Sequence, residues 1–190
     1  MNHDLTRLLE RQKICDALSR YARGVDRREW ALVAGAYHPD AHDDHGGYKG
    51  GVTGLLEWLE RRHALIEQSM HFLGNCIIEF ESDTAAVAET YCVVYQRYGE
   101  EARETIQLWL GDQELPPGKR LMAELLCRYV DRFEQRDGQW RIARRTVVME
   151  EVKAVAGTVH LQPGYALAQR DRSDALWQAL GRAGEGGGAR

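Results

Sequence analysis

The sequence lacks the features that mark several classes of protein. No stretch approaches the roughly 18 consecutive apolar residues that a membrane helix requires, so we expect no membrane partner. Positive charge is not in excess, because 25 Lys and Arg stand against 29 Asp and Glu for a formal net charge of −4. Proteins that bind nucleic acids usually carry a basic face. Nucleic acid is therefore not expected as a partner either.

Cysteine is also sparse. The four cysteines are scattered without a C-x-x-C pair, which favours reduced, buried thiols in a cytoplasmic protein. The opening MNHDLTRLLERQ contains no apolar core of the kind found in secretory signals. A composition of 44% hydrophobic and 28% charged residues is typical of a globular domain. We expect one domain over residues 1–182 and a flexible glycine-rich tail at 183–190.

Hydrophobic periodicity predicts that the first third of the chain is helical. Apolar residues recur at helical spacing through the first 25 positions, and Gly24 is predicted to end this helix. Asp26 and Glu29 match a capping-box pattern, which predicts a second helix directly afterwards. Residues 52–68 predict a third helix, with leucines along one face.

From about residue 70 the chain changes to long segments rich in β-branched and aromatic residues, which predict strands. Asp137-Gly138 predicts a hairpin turn, residues 100–118 a connecting loop, and residues 172–182 a short final helix. Helices followed by a meander of strands indicate an α+β domain. A curved antiparallel sheet covered by helices can enclose a mostly apolar pocket between the two layers.

Two residues are candidates for a proton-transferring pair. His71 begins a predicted strand among apolar neighbours, in MHFLGN, and Asp26 offers a free carboxylate. A buried imidazole held by a carboxylate has a fixed tautomer and acts as a general base near neutral pH. The structural alternatives are an N-cap role for Asp26 and a solvated strand end for His71. A helix break at Gly24 would let Tyr21 face the same cavity.

The segment YHPDAHDDHGGYKG concentrates histidine and aspartate, and three interpretations remain open: a metal site, a solvated polar loop, and a pocket wall. Pro39 disfavours a helix, and side chains on a strand point alternately to opposite faces. His42 and Asp44 would then share one face. Asp43 and His45 would share the other. This arrangement disfavours a metal site and leaves Asp44 or His45 as the candidate wall residue.

Two adjacent arginines follow the predicted hairpin, in WRIARRTVV. Arg144 and Arg145 must point to opposite faces of their strand, so one of them is expected in solvent. The other would face the cavity, where it pairs with an acid or stabilises negative charge on a substrate oxygen.

The segments ICDALSRYARGVDRREW, HFLGN and RDGQWRIARRTVV resemble, in order, the SnoaL-like branch of the nuclear transport factor 2 superfamily, over about residues 5–165. Within that branch the pattern is similar to the bile-acid 7α-dehydratases, the hexachlorocyclohexane dehydrochlorinase and, more distantly, scytalone dehydratase. The resemblance implies a cone-shaped α+β barrel whose N-terminal helices close a deep hydrophobic pocket. It also implies that no cofactor or metal is needed, and that the protein forms a homo-oligomer, a trimer or a dimer.

Carried over motif by motif, the resemblance implies roles for four residues. His71 is the proton-abstracting base and Asp26 holds it. Tyr21 is an acid or hydrogen-bond donor to the leaving group. The arginine that the family carries on the strand after the hairpin falls on Arg145. Arg145 is therefore a candidate substrate-binding residue, as are the wall candidates Asp44 and His45.

The implied function is a cofactor-independent lyase. Its substrate would be a hydrophobic hydroxylated ring compound, such as a steroid, a polyketide or a lignin-type aromatic, and the reaction an elimination of water or a loss of formaldehyde. Two alternatives remain open: an isomerase or cyclase on the same scaffold, and a non-catalytic module that binds a small ligand.

Overall fold

The computed structural model describes residues 3–182, so the predicted tail at 183–190 lies outside the described part. The helices and strands, in chain order, are α1 (His3–Arg27), α2 (Trp30–Gly35), β1 (Tyr37–Asp44), β2 (Lys49–Gly51), α3 (Val52–Ala64), β3 (Ile66–Phe80), β4 (Ala85–Tyr98), α4 (Arg103–Leu110), β5 (Arg120–Arg136), β6 (Gln139–Gly157) and α5 (Ala175–Ala179). Helices come first and long strands afterwards, as the sequence predicts.

Six strands form one curved sheet in the order β2-β1-β6-β5-β4-β3. The four long strands β3 to β6 pair with their chain neighbours in an antiparallel meander. Strand β1 instead lies parallel to β6, so the sheet is mixed at this edge. The predicted α+β architecture is confirmed. The sheet does not close on itself, and α1 and α3 pack against it to complete the enclosure.

The turn between β5 and β6 is the predicted two-residue hairpin. Asp137 has φ of 50° and Gly138 has φ of 74°. A type I′ turn requires positive φ at both central residues, and its twist matches that of the flanking strands. The hairpin brings the long strands β5 and β6 into register from Arg136 opposite Gln139 onwards.

The prediction that Gly24 ends the first helix is wrong, because α1 continues to Arg27. A Cβ at Gly24 would lie 2.9 Å from a methyl carbon of Val33 and 3.0 Å from its backbone nitrogen. Glycine at this position therefore serves the close approach of α1 and α2. Asp26 consequently lies in the last turn of α1 and caps no helix. Glu29 precedes α2 but makes no side-chain capping bond.

Three other boundaries differ from the prediction. Helix α3 ends at Ala64, and the residues after it belong to β3, because pairing with β4 begins at Ile66 and overrides local helical periodicity. The segment 100–118 contains a helix, α4, rather than only a loop. The last helix is shorter than the predicted 172–182. None of the helices in the described part of the chain is long and apolar enough to cross a membrane.

A buried ion pair between β5 and β6 supports the wall of the enclosure. Arg145 donates from Nε and Nη2 to the two carboxylate oxygens of Asp131, each at 2.7 Å, and neither side chain is exposed. The guanidinium carbon lies 4.2 Å from the ring centre of Tyr21 and 4.1 Å from that of Tyr129. Arg145 Nη1 has no hydrogen-bond partner among the described residues, and its cation–π contacts with the two rings compensate for this. The ion pair therefore fixes the position of the Tyr21 ring by packing against it on the side away from the cavity.

Replacing Asp131 with Ala would leave the Arg145 charge buried and unpaired. We expect a loss of about 3–5 kcal/mol in the free energy of unfolding, measured by urea denaturation followed by circular dichroism. Asp83→Ala is the control, because Asp83 pairs with Arg7 and its side chain is 94% exposed; it should change stability little. Similar small losses in both variants would contradict this role of the pair.

Candidate active site

A cavity of about 240 Å³ lies between the helices and the sheet. Its wall is mainly apolar and aromatic, with Trp58 from α3, Trp109 from α4 and aliphatic side chains from β4, β5 and β6. Such a surface favours a hydrophobic ligand, and a few polar groups fix its orientation. The polar or ionisable groups at the wall, cysteine apart, are Tyr21, His45, Arg62, His63, His71, Gln96 and Tyr129.

Asp26 and His71 are in direct contact at this cavity. His71 Nδ1 lies 2.7 Å from Asp26 Oδ1. A carboxylate can only accept in this bond, so Nδ1 carries the proton and the second ring nitrogen, Nε2, is left unprotonated in the neutral imidazole. The side chain of His71 is almost fully buried, and the residue lines the cavity. This arrangement has the geometry of a general base held by a carboxylate.

Three further bonds hold the Asp26 carboxylate and its backbone. Ser69 Oγ donates to Oδ1 at 3.0 Å, and the backbone N–H of His71 donates to Oδ2 at 2.8 Å. Arg170 donates to the backbone carbonyl of Asp26 at 3.0 Å. Burial alone would raise the pKa of the Asp26 carboxyl, but the hydrogen bonds from His71 and Ser69 outweigh burial and lower it below its usual value. Asp26 therefore stays ionised beside the imidazole.

A second histidine reaches the cavity through a chain of hydrogen bonds. Tyr37 donates its hydroxyl to Asp43 Oδ2 at 2.7 Å. Asp43 Oδ1 accepts from Nδ1 of His45, and His45 Nε2 lies 3.1 Å from the hydroxyl of Tyr21. Asp43 is fully buried. Burial raises the pKa of Tyr21 well above its usual value, so the phenol remains protonated. Tyr21 is thus a proton donor backed by a second Asp–His pair.

The histidine-rich segment does not converge on one point. His38 donates to the carbonyl of Glu134 at 2.9 Å, His42 is exposed, and only His45 lines the cavity. Within residues 3–182 no group of three or more His, Cys, Asp or Glu side chains is placed to hold a metal ion. Asp43 is buried and His45 lines the cavity, whereas His42 is exposed, so the two histidines lie on opposite sides of this segment.

Two of the predicted substrate-binding residues do not line the cavity. Asp44 binds Lys49 at 2.9 Å and accepts from the backbone of Gly46, because its neighbour Asp43 occupies the inward position of the strand. The Arg145 side chain points inward, but its guanidinium donates two hydrogen bonds to Asp131. The ring of Tyr21 covers the guanidinium. Of the expected wall residues, His45 is the one that the structure brings to the cavity.

Sequence reasoning missed His63 and Arg170. His63 Nδ1 accepts from Arg170 at 2.7 Å. Burial, together with the charge of Arg170, lowers the pKa of His63 well below its usual value, so the ring is neutral. Its spacing of four from Leu59 on the buried face of α3 was the available signal. Arg170 lies in an irregular segment outside the predicted elements, and nothing in its local sequence indicates a buried site.

A curved sheet covered by helices, with an apolar cavity between the two layers, defines the nuclear transport factor 2-like class of α+β proteins. The pattern of the SnoaL-like domain matches residues 6–146. The chain therefore belongs to the SnoaL-like family, and the predicted resemblance is confirmed.

Relatives of known sequence and structure agree with this assignment. Hexachlorocyclohexane dehydrochlorinase 1 of Sphingobium indicum is 26% identical over 172 residues, which cover 88% of this chain and 98% of that protein. A solved type 2 hexachlorocyclohexane dehydrochlorinase has a TM-score of 0.68 at 22% identity, over 85% of this chain and 99% of the other. A candidate scytalone dehydratase from Novosphingobium aromaticivorans has a TM-score of 0.63 at 20% identity, over 85% and 98%. The solved structures show the shared fold.

The lowered pKa of Asp26 predicts how its contribution to stability depends on pH. Because the pKa is lower in the folded state, the carboxylate stabilises the fold above its ordinary pKa of about 3.9, and this contribution is lost as the pH falls through the folded value. The difference in unfolding free energy between wild type and Asp26→Asn should therefore shrink below about pH 4.

Urea denaturation at a series of pH values from about 6 to about 3 measures this difference. Asp83→Asn is the control, since Asp83 has an exposed side chain and should alter stability little across the series. A gap between wild type and Asp26→Asn that widens in acid would contradict the assignment.

Proposed function

We propose that the protein is a cofactor-independent lyase that acts on a hydrophobic hydroxylated ring compound. The observation that carries the proposal is the bond between Asp26 and His71, because it leaves the second nitrogen of a cavity-lining imidazole free to accept a proton. Two relatives bear the names of elimination enzymes, a dehydrochlorinase and a candidate dehydratase, and these names support the same class.

In the dehydration, His71 Nε2 takes a proton from the carbon next to the one that bears the hydroxyl. The electron pair of the broken C–H bond forms the C=C bond, and the C–O bond breaks with its electrons on oxygen. Tyr21 gives its phenolic proton to that oxygen, and water leaves. Asp26 stabilises the imidazolium that forms on His71, because a fixed negative charge acts strongly in a cavity of low polarity.

The second Asp–His pair restores the proton of Tyr21. His45 is within hydrogen-bond distance of the Tyr21 hydroxyl and, in its imidazolium form, passes the proton of Nε2 to the phenolate. Asp43 stabilises that imidazolium and orients the ring. His71 returns its own proton to solvent, and His45 takes up a proton from solvent to regain its imidazolium form. The proton-abstracting group, His71, thus lies on the sheet, and the proton-donating group, Tyr21, lies on helix α1.

Loss of formaldehyde uses the same base, His71, and the same acid, Tyr21. His71 then removes the hydroxyl proton of a hydroxymethyl group, the electron pair of that O–H bond forms the C=O bond of formaldehyde, and the C–C bond breaks to release it. The electron pair of that bond forms the C=C bond as a neighbouring hydroxyl departs, and Tyr21 protonates the hydroxyl to give water. The two reactions differ in which bond donates its electrons to the new alkene.

His71→Ala should abolish turnover, because general bases typically contribute a factor of about 10²–10⁴. The assay screens mono- and dihydroxylated ring compounds and follows loss of water or release of formaldehyde by mass spectrometry. His42→Ala is the matched control, because His42 is an exposed histidine outside the cavity. Retained turnover in His71→Ala, with circular dichroism confirming the fold of both variants, would refute the role of the base. A product of unchanged mass would indicate an isomerase or cyclase instead.

Asp43→Asn tests the reprotonation of Tyr21. Asparagine cannot hold His45 in the same tautomer with the same charge, so kcat should fall by about 10²-fold or more while KM changes little. The control is Asp44→Asn, since Asp44 is the next residue but pairs with Lys49 outside the cavity. Equal effects of the two substitutions on kcat would show that Asp43 has no positioning role.

A further inference from the structure

In the described part of the chain, Arg62 is the one arginine that lines the cavity. Its Nη2 donates to the hydroxyl of Tyr98 at 2.8 Å and to Oε1 of Gln96 at 3.3 Å. Its guanidinium carbon also lies 5.8 Å from the ring centre of Trp58 and 5.9 Å from that of Trp109. A cation is therefore held among aromatic rings on one side of the cavity.

The charge of Arg62 is not neutralised by the protein. Within residues 3–182 no carboxylate oxygen lies within ion-pair distance of Arg62, whereas Arg97, Arg120 and Arg145 each have one. The hydrogen bonds of Arg62 use a single nitrogen, Nη2, and the acceptors of those bonds are uncharged. Two nitrogens of the guanidinium, Nε and Nη1, have no acceptor in the described part of the chain. A half-buried arginine with free donors is a common binder of carboxylates and other anionic oxygens.

The rest of the cavity wall also favours a negatively charged ligand. Among residues 3–182, no aspartate or glutamate lines the cavity. The carboxylates of Asp26 and Asp43 are behind their imidazoles and committed to them. His63 is neutral, because burial and the nearby arginines lower its pKa well below its usual value. Within residues 3–182, Arg62 is therefore the permanently charged group of the wall, and no carboxylate of the wall faces a ligand.

Trp58 connects this cation to the proton-donating group through His45. Its ring centre lies 5.7 Å from that of His45, and Arg62 approaches the same indole. A ring compound that packs beside Trp58 would thus lie near both Arg62 and His45. The aromatic rings near the cation lower the local polarity, and this strengthens its interaction with an anion.

We propose that Arg62 binds an anionic oxygen, a carboxylate or a phenolate, on an aromatic ring of the substrate. The proposal rests on the proposed function only in taking this cavity as the substrate site. It narrows the substrate to an acidic aromatic compound. Arg62 is a specificity-determining residue in this account, and it takes no part in proton transfer.

A purely structural role for Arg62 makes a different prediction. In that role the side chain braces α3 against β4 through Tyr98 and Gln96. Its removal would then reduce stability and weaken acidic and neutral ligands alike. Selectivity between an acidic ligand and its neutral analogue separates the two roles.

Isothermal titration calorimetry with 2-naphthoate and its neutral analogue 2-naphthamide measures that selectivity. Wild type should bind 2-naphthoate at least about tenfold more tightly, within the range reported for hydrogen bonds to charged groups. Arg62→Met, which keeps the length of the side chain, should remove the preference, and Arg62→Lys should retain part of it. Arg61→Met is the control, because Arg61 is the exposed neighbour on α3, and it should keep the full preference.

A second probe distinguishes the two anionic groups. The ionised form of 4-nitrophenol absorbs visible light, so binding of phenolate by Arg62 would raise that absorbance in wild type and not in Arg62→Met. A carboxylate-specific site would leave it unchanged while the naphthoate preference persists.

Equal affinity of wild type for 2-naphthoate and 2-naphthamide, or no binding of either, would overturn the proposal when the nitrophenol absorbance is also the same in wild type and Arg62→Met. So would an unchanged preference in a folded Arg62→Met. The same titration with His71→Ala should retain the preference, since binding needs no base. Selective binding by a protein whose turnover survives His71→Ala would therefore refute the proposed lyase chemistry while leaving the role of Arg62 intact.

Discussion

A carboxylate in the last turn of α1 meets an imidazole on β3, and this contact joins the helical layer to the sheet at the edge of the cavity. It requires α1 to continue through Gly24. Glycine is needed at this position because Val33 approaches it closely. The contact also requires the end of α1 to be fixed, and Arg170 does this by donating to the carbonyls of Val25 and Asp26 at 3.0 Å each. A cation at a helix C-terminus satisfies orphan carbonyls and complements the helix dipole.

The cavity owes its chemical character to the placement of its acids. Asp26 and Asp43 each lie behind an imidazole, so their charges orient histidines without entering the wall. The ligand therefore meets imidazole nitrogens, the phenols of Tyr21 and Tyr129, and the cation of Arg62. Burial of the acids makes their effect on the imidazoles strong, because the surrounding dielectric is low. The same burial explains why the cavity can be both apolar and able to transfer protons.

Sequence alone was sufficient for helices followed by long strands, the Asp137-Gly138 hairpin and the division of the β1 side chains between two faces, since each depends on local periodicity or turn geometry. It was insufficient for Arg145, because the partner that occupies it, Asp131, becomes a neighbour only when β5 pairs with β6. Asp44 was a candidate for a similar reason: alternation defines two faces without saying which is inward. Arg170 is more than a hundred residues from the groups it contacts, and no local pattern signals that distance.

The central claim is that Asp26 fixes the proton of His71 on Nδ1 and frees Nε2 for chemistry. Nitrogen and proton NMR of the imidazoles tests it directly in protein labelled at its seven histidines. The account predicts one neutral ring, assigned to His71 by its absence in His71→Ala, that carries its proton on Nδ1 and loses that preference in Asp26→Asn. A neutral His71 protonated on Nε2, or a spectrum that is the same in wild type and Asp26→Asn, would contradict it.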